Sequence, residues 1–312
     1  MELGSGAFCL HSVIKENLDA LAVSSAREAE LRLCEWALVA EDAADCFFGW
    51  LRDGLTADEA LAALSTALSE QELPFGVHKD GVYTFARAYE RSCFCRILLG
   101  LLAERGRPLG EGDFLPAEAV SPVVAYVRNP FADEAYDVFA DEIFDLCVRY
   151  VSSFDEGVKL LLSGEVGYCL LPFEESGGLR LSTVERLLHR YDLRISRVTP
   201  VFGPDGTADM RYALVCQSAT VTPYAREDDR YLELRLPLTG DNTLSDISVC
   251  AELFGLSLYR VQTVSFGEGE DRDFYLSAVL SGVGADFTAV LLYLAIFCRE
   301  ATVVGLYRNL ES

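Results

Sequence analysis

Ser152–Leu188 reads SSFDEGVKLLLSGEVGYCLLPFEESGGLRLSTVERLL. Ser153 with Glu156, and Ser182 with Glu185, have the spacing in which a hydroxyl and a carboxylate satisfy the free amides of a starting helix. Between them Tyr168–Phe173 is a short apolar run, bounded by Gly167 on one side and by Glu174-Glu175-Ser176-Gly177-Gly178 on the other. Such a run predicts a strand buried on both faces. The stretch therefore reads helix, strand, carboxylate-bearing loop, helix. The loop falls at the carboxyl end of the strand, where open α/β sheets hold ligands.

Upstream, residues 12–104 carry helical signals almost throughout. Ser25 with Glu28 and Thr56 with Glu59 repeat the capping spacing, and Leu61, Leu64 and Leu68 recur on one helical face. An α-helical domain over 1–112 is expected, closed by the turn-rich Gly106–Gly112. From the strand-like Val123–Val127 the order continues as a helix over about 132–150, a helix from 154, strand 168–173, helix 183–191 and strand 193–199. A turn at Gly203-Pro204-Asp205-Gly206 leads to strand 211–217, so 121–222 forms an α/β unit. Residues 228–312 change pattern to strand 231–238, helix 244–254, strands 256–266 and 274–280, helix 285–298 and strand 302–307, a ferredoxin-like βαββαβ order. In β-strand 231–237 apolar and polar residues alternate, with Glu233 and Arg235 on the face that is wet or paired. The acidic Gly267–Asp273 reads as a solvated hairpin loop. The fold class is α/β and α+β multidomain.

The chain has 312 residues, 51% of them hydrophobic, enough for a substantial core. Its net charge of −23 repels nucleic acid and anionic lipid, so neither is expected as a partner, and an anionic ligand needs a local cationic pocket. The ten cysteines lack a CxxC pair and read as small buried hydrophobes in a reducing cytoplasm. His11, His78 and His189 are far apart, so no metal site is expected, and no cofactor fingerprint is present. The amino terminus lacks the basic region and apolar run of a secretory signal, and Phe287–Cys298 is too short to span a bilayer.

Pro172-Phe173-Glu174-Glu175-Ser176-Gly177-Gly178, preceded by Gly164-Glu165 and Gly167-Tyr168, resembles the Pro-Ile-Glu-Asn-Ser hallmark of the prephenate dehydratases. The βαββαβ segment looks like the ACT domain, the amino-acid-binding module that follows their catalytic domain. The helical amino-terminal region is similar in placement to the chorismate mutase part of the bifunctional enzymes. Over about 121–310 the resemblance implies a periplasmic-binding-protein-like α/β lobe and an ACT-like domain. It further implies an aromatic amino acid or related carboxylate as ligand, and a homodimer through the ACT-like strands.

Several positions depart from the family pattern. Its Gly-Pro-x-Gly-Thr loop falls at Tyr126–Ala132, which has no glycine, and its hallmark asparagine is Glu175, an acceptor only. Its Thr-Arg-Phe motif falls at Met210-Arg211-Tyr212, and methionine donates no proton. Only residues 189–209 occupy the place of the family's second lobe, so the lobe is reduced to one. The ACT motifs Gly-Ala-Leu and Glu-Ser-Arg-Pro stand as Asn242-Thr243-Leu244 and Gln262-Thr263-Val264-Ser265.

Dehydration needs a closed, water-poor site with a proton donor at the leaving oxygen. No catalytic residue is assignable on this pattern, and the expected protein is a non-catalytic binder of a small carboxylate or amino acid. Its candidate contacts are Glu174, Ser176 and Arg211 in the α/β unit, with Asn242 and Thr243 in the ACT-like one, and no cofactor or metal. The alternative is an active prephenate dehydratase or chorismate mutase. Glu174 with Glu175 is a candidate acid/base pair or a solvated loop. Arg87, Arg91 and Arg96 on the helix predicted over 83–105 are a candidate dicarboxylate site or an exposed face paired with Glu90 or Glu104.

Overall fold

A computed structural model of the chain describes residues 26–70, 83–115, 121–175, 178, 180–203, 208–218, 221, 225, 228–238, 243–266 and 273–310. Residues 267–272 of the acidic loop and the Ser25 cap lie outside them. The described elements divide into two units.

The helical unit comprises α1 (Ala26–Arg52), α2 (Ala57–Glu70), α3 (Tyr83–Glu104), α7 (Thr243–Leu253) and α8 (Thr288–Phe297). Thr56 starts α2 as its spacing predicts: Glu59 N donates to Thr56 Oγ1 at 3.3 Å and Thr56 N donates to Glu59 Oε2 at 2.8 Å. Trp36, Phe94 and Phe297 meet edge to face, at 6.5 and 5.9 Å between neighbouring ring centroids, and fix the core of this unit. At the start of α8 the buried Glu111 accepts from Phe287 N at 2.9 Å, a carboxylate placed on a helix amino terminus.

The second unit is built on one nine-stranded mixed sheet in the order β2-β1-β3-β5-β4-β9-β6-β8-β7. Its strands are β1 (Val123–Val127), β2 (Cys147–Val151), β3 (Tyr168–Glu175), β4 (Arg194–Phe202), β5 (Ala208–Cys216), β6 (Asp229–Pro237), β7 (Ser257–Phe266), β8 (Asp273–Val283) and β9 (Thr302–Arg308). The helices α4 (Pro130–Glu142), α5 (Phe154–Leu162) and α6 (Ser182–Arg190) belong to it as well. The fold class is thus α/β. Within the sheet β9-β6-β8-β7, with β6 antiparallel to β8 and β9, is the ferredoxin-like arrangement.

β3 is buried on both faces, as its apolar run predicts. Cys169, Leu171 and Phe173 join Val158 and Leu161 of α5 and Val184 and Leu187 of α6 on one side, whereas Tyr168 and Leu170 join Phe139 of α4 on the other. Asn129 caps α4, its side chain accepting from Ala132 N at 3.0 Å, with Pro130 at the first helical position. The helix expected over 132–150 ends at Glu142, and Cys147–Val151 forms a strand parallel to β1. Five residues on an exposed edge give too short an alternation to separate from the helix ahead.

β3 and β7 stand six places apart in the strand order, about 29 Å on a flat sheet at ~4.8 Å per strand. Glu174 of β3 and Arg260 of β7 nevertheless meet at 2.6 Å, so the sheet curls and closes its concave side around them. The join between the β1–β5 part and the ferredoxin-like part runs through β4 and β9, in parallel register at Ile195 and Gly305. A Cβ at Gly305 would lie 2.4 Å from the Ile195 carbonyl oxygen, so only glycine permits this approach.

Candidate functional site

At the carboxyl end of β3 the ladder to β5 slips between Pro172 and Glu174, leaving Phe173 as the bulged residue. By strict alternation Glu174 would point away from Phe173. The bulge turns both to the concave side, where Arg211 stands opposite Glu174. The chain then returns, bridges Glu174 with Arg180, and donates Leu181 N to Phe173 O at 3.3 Å.

This return delivers Arg180 into the core, with its side chain 2% exposed. Its guanidinium carbon lies 3.5 Å from the Phe173 ring centroid. Arg180 Nε donates to Glu174 Oε2 at 3.3 Å and Nη1 to Glu185 Oε1 at 3.2 Å. Glu233 takes both ends of the fork, from Nη1 at 2.9 Å and Nη2 at 2.6 Å. The carboxylates have further donors. Tyr307 Oη donates to Glu233 at 3.0 Å, Tyr275 Oη and Gln262 Nε2 donate to Glu185 at 3.1 and 3.2 Å, and Arg260 and Arg211 donate to Glu174 at 2.6 and 3.3 Å.

Three glutamates and three arginines balance, which is what makes the burial tolerable. Burial pushes the Glu174 carboxyl up, but Arg260, Arg180 and Arg211 outweigh it and hold it below the ordinary carboxylate range. Glu185 goes the other way: burial raises it, Arg180 opposes, and the Glu233 charge adds to the rise. Desolvation weakens Arg180's hold on its proton, yet Glu233 and its neighbours more than restore it. Burial, with Glu233 close by, raises the Tyr307 phenol, which stays a donor.

Of the sequence candidates, Glu174 and Arg211 are brought together, as partners of each other. Ser176 and Asn242 lie outside the described residues, and Thr243 opens α7 in the helical unit. Glu175, proposed with Glu174 as an acid/base pair, is exposed at the strand end while Glu174 is buried. Glu185 does not cap α6: Leu181 stands at that N-cap, without a side-chain bond. The spacing that suggests a capping box instead turns this carboxylate inward to Arg180.

Sequence reading passes over Arg180, Glu233, Arg260, Tyr275 and Tyr307. The one signal is the polar face of β6. Glu233 on that face is 1% exposed like its apolar neighbours, because Arg180 and Tyr307 pack against it.

In the helical unit the three arginines of α3 fasten α7. Arg87 holds Asp246, in the first turn of α7, at 2.7 Å, and Arg91 lies 3.7 Å from the same carboxylate. Arg96 donates to Leu253 O at the other end, at 2.8 Å, and stacks on Phe254. Of the two expected uses of this face, ligand binding and surface pairing with Glu90 or Glu104, the polar contacts described run instead to a neighbouring helix: Arg87 and Arg91 meet Asp246, and Arg96 meets the Leu253 carbonyl. In the sheet unit a cavity of about 680 Å³ is lined by Glu134, Asp137, Asp141, Glu142, Asp228 and Asp229, with Arg308 bonded to two of them. Its charge opposes an anionic ligand. Among the described residues no cluster of ligating side chains suits a metal ion, and no helix is long and apolar enough to cross a membrane.

No family model matches the chain, and no curated protein is significantly similar to it. Among solved structures it is similar to a prephenate dehydratase from Streptococcus mutans, at 15% identity and a TM-score of 0.45 over 61% of this chain and 99% of that one. It is also similar to GqqA, described as a novel type of quorum quenching acylase, at 17% identity and a TM-score of 0.43 over 60% of this chain and 95% of that one. A third similar structure is prephenate dehydratase from Arthrobacter aurescens in complex with L-Phe, at 12% identity and a TM-score of 0.42 over 59% of this chain and 89% of that one.

Proposed function

We propose that the chain is a non-catalytic prephenate-dehydratase-like protein that binds a small carboxylate, an aromatic amino acid or a related acid. The observation that carries this reading is the saturation of Glu174. The position that the sequence resemblance assigns to the substrate site is 5% exposed and bonded by Arg180, Arg211 and Arg260. A carboxylate held ionised by three cations is a poor acid, and Met210 beside it donates no proton. Arg211 is the cation best placed for a ligand carboxylate. Its side chain is 29% exposed, and among the described residues its bond is to Glu174 alone. Ser176, Asn242 and Thr243 complete the candidate contacts by motif position.

The thermal midpoint of the protein with millimolar phenylalanine, tyrosine, tryptophan, prephenate and chorismate tests this, because a ligand of the native state raises it by mass action. One of these acids should shift the midpoint in the wild type and not in Arg211→Ala. No shift with any of them removes the binding role, and consumption of prephenate removes the non-catalytic one.

The proposal includes a homodimer through the edge strand β7. Its ten residues carry no Asp or Glu in a chain of net charge −23, and Leu258, Tyr259 and Val261 are exposed along it. Solution mass should be that of a dimer and fall to a monomer in Val261→Lys; a monomeric wild type ends the idea. A reducing cytoplasm fits the nine described cysteines, none of them in a disulfide.

A further inference from the structure

The contacts of Arg180 have a peculiar division of labour. Every carboxylate that holds the guanidinium comes from a different element: Glu174 from β3, Glu185 from α6 and Glu233 from β6. Each is also held by something other than Arg180: Glu174 by Arg260 and Arg211, Glu185 by Tyr275 and Gln262, Glu233 by Tyr307. The carboxylates therefore keep their positions without the guanidinium, which is the condition of a preorganised binding site. Phe173 supplies the floor, its ring centroid 3.5 Å from the guanidinium carbon.

The shape of the set selects among cations. Donors from all three nitrogens of one planar group are met in its plane, and Glu233 takes two of them side by side. An ammonium is a compact point charge that offers neither the flat face nor the parallel pair of donors. Arg180 itself arrives on a short return from the strand that supplies Glu174 and Phe173, through Gly178 at φ +83°. It has the geometry of a ligand on a tether.

We propose that Phe173, Glu174, Glu185 and Glu233 form a guanidinium-binding pocket whose resident ligand is the chain's own Arg180. Without that side chain the pocket accepts a small free guanidinium compound, of which guanidinium ion, methylguanidinium and agmatine are the probes. The ligand is a cation, so this goes beyond the carboxylate-binding role above and does not depend on it.

Arg180→Ala opens the pocket and leaves its walls in place. Melting this variant in millimolar guanidinium chloride, far below denaturing concentrations, against ammonium and sodium chloride at equal ionic strength reads the selectivity. Guanidinium at about ten times its dissociation constant should raise the variant's midpoint by ~3 °C beyond the ammonium value. Methylguanidinium and agmatine should act likewise, and the wild type should show no such difference between salts. Adding Glu233→Gln, which removes the paired acceptor, should abolish the selective rise. Should Arg180→Ala not fold unaided, its recovery from urea in guanidinium against ammonium gives the same reading. Equal responses to the two cations, in midpoint or in recovery, overturn the proposal, as does a selective rise that survives Glu233→Gln.

Discussion

Two sets of arginines show what burial does to the same chemistry. Arg87, Arg91 and Arg96 lie on one helix and clip a neighbouring helix at both ends. Arg87, the shorter of the two contacts to Asp246, has a side chain 39% exposed, within reach of water and salt, although Asp246 itself is buried. Arg180 stands alone in its stretch of sequence, 2% exposed among carboxylates from three elements. An exposed pair exchanges water for a partner of nearly equal worth. A buried one exchanges it for partners of which Glu185 and Glu233, if it leaves, keep only neutral donors against their charge.

The sharpest way to break the comparison is to neutralise one member of each set. Arg180→Met should cost about 3–5 kcal/mol in denaturant unfolding, because it strands Glu185 and Glu233 in the core. Arg87→Met should cost less, about 1–3 kcal/mol, because it takes two hydrogen bonds from the buried Asp246 but leaves Arg91 at 3.7 Å from it. Similar losses at the two positions would mean that burial does not separate them.

A smaller effect should separate carboxylates within the buried set. Glu185's value in the folded protein lies above its ordinary 4.5, so the native state keeps a proton that the unfolded chain gives up. Stability on its account falls as pH rises from about 4.5 through the raised value and levels off above it. Glu174, held below 4.5, contributes stability above the ordinary value that is lost as pH falls through its lowered one. Glu185→Gln should flatten the first slope and leave the acid-side loss. Urea melts across this range check it, and an unchanged slope on the higher-pH side would show that Glu185 is not its source.

What the sequence makes legible follows from how local each cause is. Thr56 and Glu59, or Ser153 whose hydroxyl accepts from Glu156 N at 3.2 Å, act within one turn and can be read directly. The βαββαβ order is readable for the same reason: each of its elements carries its own period. Glu185 has the spacing of a cap as well, but its position is decided by Arg180, Tyr275 and Gln262, and the local signal misleads. The site candidates divide in the same manner. Glu174 and Arg211 follow from a motif at a strand end, whereas Glu233 and Tyr307 enter the cluster only because the sheet curls, and a curl arises from strand pairings that no short window contains. The edge strand β2 escapes because five exposed residues bury too little to leave a pattern.

The last strand in the chain is not at the rim of the sheet. β9 lies between β4 and β6, and β4 ends at Phe202 while β9 begins at Thr302. During synthesis β4 and β6 therefore leave the ribosome with bare edges facing the gap between them. At ~10 residues per second the β4 edge waits about 10 s and the β6 edge about 6 s, long enough for strangers to pair there. Gly305, which alone fits against Ile195, then acts as the keystone, and assembly of the whole sheet waits on its arrival.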